Sequence, residues 1–166
     1  EKYYPEALRT TKYGQPPVYV DPEILAKRLN LSVVTHRISK EGGIFGQLFF
    51  LAADTEMYDA DQDRLVTVHV PEKTIVVDPQ MYLLRNLGSV NNTIVHECVH
   101  WVKHRKVFML EKLYNDQAHG ITCEVVGGAR ANMSKLATAR MEQQANRLTP
   151  RIQMPAGPFK AKASDY

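Results

Sequence analysis

Two histidines four residues apart, with a glutamate beside the first, give the segment His96-Glu97-Cys98-Val99-His100 a His-Glu-x-x-His pattern. On a helix, positions i and i+4 share a face, so both imidazoles can meet one ion while Glu97, one step round, points toward an adjacent coordination position. Zinc suits such a pair because it accepts nitrogen ligands, keeps a position open for water and lowers the pKa of that water to about 7. Glu97 is then the general base that takes the proton during attack on a peptide carbonyl. The competing reading is a helix carrying two merely packed or polar histidines. Ile94, Val95, Val99 and Val102 recur around the motif at helical spacing, which is the context that the metal reading requires.

A catalytic zinc takes a third protein ligand. His104 lies eight residues beyond His96, about 12 Å along a helix rising 1.5 Å per residue, too far for both to reach one ion. It is expected to be a solvated or helix-end histidine. Glu142, on a later stretch with helical composition, is the better candidate. Asn146, four residues on, is placed to accept a hydrogen bond from the free ring N–H of a ligating histidine. For an oxyanion stabiliser the sequence offers His69, Tyr114, His119 and Arg130, and no spacing selects among them.

These residues need elements to hold them. Asp21-Pro22, followed by an amphipathic run, predicts an N-capped first helix ending near Asn30. Residues 32–38, 44–53 and 74–77 read as strands, with 64–70 a weaker candidate. Asp59, Asp61 and Asp63 lack the glycine and terminal glutamate of a calcium loop and predict a solvated turn. From Ser89 the period becomes helical, with Ser89, Asn91 or Asn92 available as caps. Glycines at 120, 127 and 128 break the pattern and predict a surface connection. A second helix follows over residues 129–148, ended or kinked at Pro150. Residues 156–166 have little to bury and predict a loosely held tail.

The 166 residues, 44% of them hydrophobic, suffice for one core. The expected layout is an N-terminal extension over 1–20, a zinc peptidase domain over 21–155 and the tail. The fold class is α+β, a small and mostly antiparallel sheet packed beside helices that carry a zincin-type metal site. A net charge of +3, evenly spread, gives no basic patch for nucleic acid. No apolar run approaches the roughly 20 residues of a membrane helix. Cys98 and Cys123 form no Cys-x-x-Cys pair, and a buried free thiol at Cys98 in a reducing cytoplasm fits best.

Three features together resemble the ImmA/IrrE metallopeptidases: the His96-Glu97-x-x-His100 helix, the downstream Glu142-x-x-Ala145-Asn146 stretch, and the closing Ile152-Gln153-Met154-Pro155. The family's element order, an N-terminal helix, a small sheet and then the metal helices, also matches from about Asp21 to Pro155. Cys98-Val99 departs from the family's usual pair, and the 42-residue interval from His100 to Glu142 is long, suggesting an insertion around residues 113–130. The resemblance implies a protein or peptide substrate, such as a transcriptional repressor or other regulatory protein. It further implies a strand within residues 44–53 whose exposed edge lies above the cleft and pairs with the substrate backbone. The alternative is a regulatory or protein-binding module that keeps the fold without cleaving, although such a module has no need of Glu97. The missing initiator Met suggests a part of a longer protein, with a helix-turn-helix or other module outside it.

Overall fold

The computed structural model describes residues 20–80, 87–114, 120–124 and 135–164. Helix α1 spans Pro22–Arg28. The Asp21 carboxylate accepts the backbone N–H groups of Glu23 and Ile24 at 2.9 and 3.1 Å, satisfying two otherwise orphaned donors. Asn30 closes the helix in the left-handed region, φ 58°, which asparagine tolerates at a helix end. Strands β1 (Ser32–Thr35), β2 (Ile44–Phe49) and β5 (Thr74–Val77) follow the sequence expectation. Between them, β3 (Ala53–Asp59) and β4 (Arg64–Val70) form a separate antiparallel ribbon.

Strand β6 (Gly120–Glu124) lies where a surface connection was expected. It completes a four-stranded sheet in the order β1-β5-β2-β6, in which only the β1–β5 pair is parallel. Because β2 is hydrogen-bonded on one side to β5 and on the other to β6, it offers no free edge. The expectation of an exposed edge within residues 44–53 is therefore corrected: the segment that looked like an insertion supplies the strand that covers it.

Helix α2 spans Leu87–Tyr114, so Ser89, Asn91 and Asn92 lie inside it and are not its caps. Every residue from Thr93 to Trp101 is buried, the signature of a helix enclosed on all sides. The helix packs against α1, against β2 and β5, and against α3, which spans Lys135–Gln153. Pro150 sits inside α3 without ending it. The bond it cannot donate is the one to the carbonyl of Asn146, an exposed position, and the turn is braced by the Thr149 hydroxyl, which donates to the Ala145 carbonyl at 2.8 Å. Ala156–Ala163, expected as a loose tail, forms helix α4.

Two apolar clusters flank the sheet. Leu48, Ile75 and Val77 face the helices and join Leu25, Val90, Ile94, Val95, Trp101 and Met141, whereas Phe49 and Val76 face Met57 and Val70 of the ribbon. This alternation explains why β5 is buried at all four positions: both of its faces are covered. The Asp-rich turn joins β3 to β4, where Asp59 accepts the Asp61 and Gln62 N–H groups and Asp63 meets Tyr58 and Lys40, as a solvated turn requires. Among the described residues, no helix is long and apolar enough to cross a membrane.

Candidate metal centre

On α2, His96 and His100 stand one turn apart with ring centroids 4.7 Å from each other, and their Nε2 atoms approach to 2.9 Å. Glu142 on α3 closes the group, with Oε2 3.2 Å from His96 Nε2 and Oε1 3.2 Å from His100 Nε2. Ligand atoms from the three residues all lie within 4.8 Å of one another, so the group could hold a metal ion. Four tetrahedral ligands at 2.0 to 2.1 Å from zinc stand about 3.3 Å apart, which is close to the spacings found here. Two imidazole nitrogens and one carboxylate oxygen also make a donor set that leaves a fourth position available. The three residues thus fit a metal ion.

Electrostatics favour the forms that bind metal. Burial lowers the pKa of His100 despite the opposing pull of Glu142, so the ring is neutral at pH 7. For Glu142, burial raises the pKa, but His100 and His96 outweigh it and hold the carboxyl at about 2, so it is an anion. His96 and His100 are buried, while Glu142 retains 21% side-chain exposure and forms the open rim of the group.

Glu97 is fully buried, and neither carboxyl oxygen has a hydrogen-bond partner among the described residues. Burial, with the nearby negative charge of Glu142 adding to it and His96 opposing it, raises its pKa to about 8. The fold thus uses none of this carboxyl's hydrogen-bonding capacity, an expensive arrangement for a purely structural residue. Gly46 of β2 packs directly against this stretch of α2. A Cβ there would stand 2.5 Å from Thr93 Cγ2 and 3.6 Å from Glu97 Oε1. Gly46→Ala is accordingly expected to destabilise the protein by about 1–3 kcal/mol. Thr93→Ser removes the obstructing methyl and keeps the hydroxyl bonded to the Ser89 carbonyl, so it should restore most of the loss. Urea midpoints of the two single variants and the double variant test this, and a neutral Gly46→Ala would refute the close approach.

Two sequence expectations change. His104 is 3% exposed rather than solvated, and its Nδ1 meets His100 Nδ1 at 3.0 Å. Asn146, expected at a ligating histidine, lies exposed on α3 and is not brought to His100. The reason is helical pitch. The buried stripe of α3 runs through Thr138, Met141, Ala145 and Thr149, Glu142 stands at its margin, and each four-residue step turns about 40° further, carrying Asn146 into solvent. The missed signal was the repeat of the i, i+4 step, His96, His100 and His104, which puts all three rings in one ladder.

Cys98 is a free, buried thiol, as expected, and burial raises its pKa. His69 pairs with Asp54 at 2.6 Å on the exposed face of the ribbon. The side chains of Tyr114, His119 and Arg130 lie outside the described residues. Comparison with protein-family models, curated proteins and solved structures finds no match.

Proposed function

We propose that this chain is a zinc-dependent peptidase of the ImmA/IrrE type, with His96, His100 and Glu142 as metal ligands and Glu97 as general base. The observation that carries the reading is the convergence of two Nε2 atoms from one helix and a carboxylate from another, next to a buried carboxyl with both oxygens unpartnered. Zinc is favoured because a borderline-soft ion with open coordination matches a set of two imidazoles and one carboxylate. When bound, it supplies Lewis acidity to a peptide carbonyl and to a water molecule.

The chain's own residues do the rest. Glu97 accepts the proton of the attacking water and delivers it to the departing amine nitrogen, so the carboxyl ends each cycle as it began. In the metal-free protein burial keeps this carboxyl protonated up to about pH 8. The positive charge of an ion held by His96, His100 and Glu142 would lower that pKa and leave the carboxylate that the base role requires. Glu142, ionised throughout, ties α3 to α2 at the centre.

Elemental analysis of protein purified without added metal tests the site, and about one zinc per chain is expected. Cleavage of a denatured protein or a peptide library, abolished by a chelator and restored by zinc, tests the activity. Protein that holds no metal and takes up none when zinc is offered would sink the reading. One observation favours the alternative of a non-cleaving protein-binding module: β6 covers the edge of β2 that would pair with a substrate strand. A zinc-loaded chain that binds peptides without cleaving any would establish that alternative. The natural substrate, in either case, is proposed to be a regulatory protein.

A further inference from the structure

The sequence assigns His104 no role, yet it is a buried polar residue beside the candidate ligands. Its Nδ1 lies 3.0 Å from His100 Nδ1, and its Nε2 lies 3.1 Å from Gln144 Oε1 on α3. The ring of His104 also stands over that of His100, with centroids 4.9 Å apart. We propose that His104 and Gln144 form a hydrogen-bond relay that fixes His100 in the tautomer able to bind a metal ion. This deepens the metal-site reading and rests on it for the role of His100.

The polarity of the relay follows from counting donors. A neutral imidazole has one N–H and one lone pair. A carbonyl oxygen only accepts, so with Gln144 Oε1 facing it His104 Nε2 carries the N–H and His104 Nδ1 carries the lone pair. That lone pair needs a donor, which makes His100 Nδ1 an N–H. His100 Nε2 is left with its lone pair directed at the group it shares with His96 and Glu142. Each link constrains the next, and the last constraint is the one a metal requires. Were the amide of Gln144 reversed, every link would invert and His100 Nε2 would present a proton to the centre instead.

Gln144 and Glu142 sit two residues apart on the same helix and reach successive rungs of one ladder on α2. The relay therefore couples the docking of α3 to the readiness of His100: the helix that brings the third ligand also sets the tautomer of the second. His104 is a positioning residue in this account, since it touches His100 and does not reach the ion.

The test uses the full chain at pH 8, where imidazoles are neutral. Long-range proton–nitrogen correlation spectra of metal-free protein should show His100 in the Nδ1–H form and His104 in the Nε2–H form. His104→Leu, which removes the acceptor, should weaken zinc binding by about 10- to 100-fold. His104→Asn places Oδ1 where Nδ1 stood and should stay close to wild type, although both variants shrink the ring. A merely structural His104 would instead move both variants together, and that result overturns the relay. So does metal-free wild type with His100 in the Nε2–H form. Should His104→Leu fail to fold, Gln144→Leu at an exposed position replaces it, with an expected zinc affinity between those of wild type and a broken relay. If wild type binds no zinc, the metal reading fails, while the tautomer spectrum still decides the relay.

Discussion

His96→Ala should leave the purified protein without zinc and should lower its melting temperature to that of chelator-treated wild type. The expectation follows from how few donors there are. Among the described residues three side chains supply the group, and each imidazole reaches it through its Nε2. Removing one of three ligands leaves two, which is too few for a site that holds its ion through purification. A bound ion stabilises the folded state by RT ln(1 + [Zn]/Kd), about 4 kcal/mol when free zinc exceeds Kd a thousandfold. That increment is what His96→Ala and chelation should both remove. Glu142→Ala is the more discriminating variant, because Glu142 keeps 21% exposure and without the histidines would look like an ordinary helix-surface residue. If it is a ligand, its loss removes the metal and with it one tie between α2 and α3. Equal zinc content in Glu142→Ala and wild type would refute its assignment, and a melting temperature that ignores zinc in wild type would refute the site.

Why the grouping of His96, His100 and Glu142 was legible from sequence, and much of its surroundings was not, has a physical explanation. A His-Glu-x-x-His spacing carries its own geometry, because a helix converts a separation of four into one face regardless of what surrounds it. The cap at Asp21 and the apolar runs of β2 and β5 are local in the same sense. Strand β6 is different. Gly120-Ile121-Thr122-Cys123-Glu124 is short and opens in glycine, and it becomes a strand because β2 presents it with a complete ladder of partners. Strand β3, with Asp54, Glu56 and Asp59 among its seven residues, is likewise absent from the expected strands and is set by its pairing with β4.

The same division runs through the site. Axial rise sets His104 apart from the group of His96, His100 and Glu142, of which it is not a member, and the separate inference that it is therefore solvated does not follow. A residue outside a candidate metal group can still be one step from a member of it, which is where His104 lies. Asn146 failed for the complementary reason: i+4 spacing guarantees only approximate alignment. At the margin of a buried stripe, a drift of about 40° is enough to leave the interior.

Glu97→Gln should separate metal binding from catalysis. Glutamine keeps the shape and the buried position but cannot take a proton, so zinc content should match wild type while cleavage falls by about 10²- to 10⁴-fold. A second signature comes from stability in the metal-free state. In the folded, metal-free protein the Glu97 carboxyl holds its proton up to about pH 8, whereas the unfolded chain releases it near the ordinary glutamate value of 4.5. Between those values the unfolded state binds fewer protons than the folded one, so this residue's contribution erodes stability as pH rises. The favourable limit lies below pH 4.5, where both states are protonated, and the full penalty is reached above pH 8. Glutamine has no such slope. Metal-free Glu97→Gln should therefore gain on wild type as pH rises, by an amount on the order of several kcal/mol at pH 8, and the gain should vanish near pH 4. Comparing the two proteins at each pH cancels every other titrating group. A difference that stays flat with pH would mean that the carboxyl is hydrated in solution, and undiminished cleavage by Glu97→Gln would remove it from the chemistry. If both signatures appear, the least favourable carboxyl in the core is also the one the reaction depends on. A fold selected for stability alone would have no reason to keep it there.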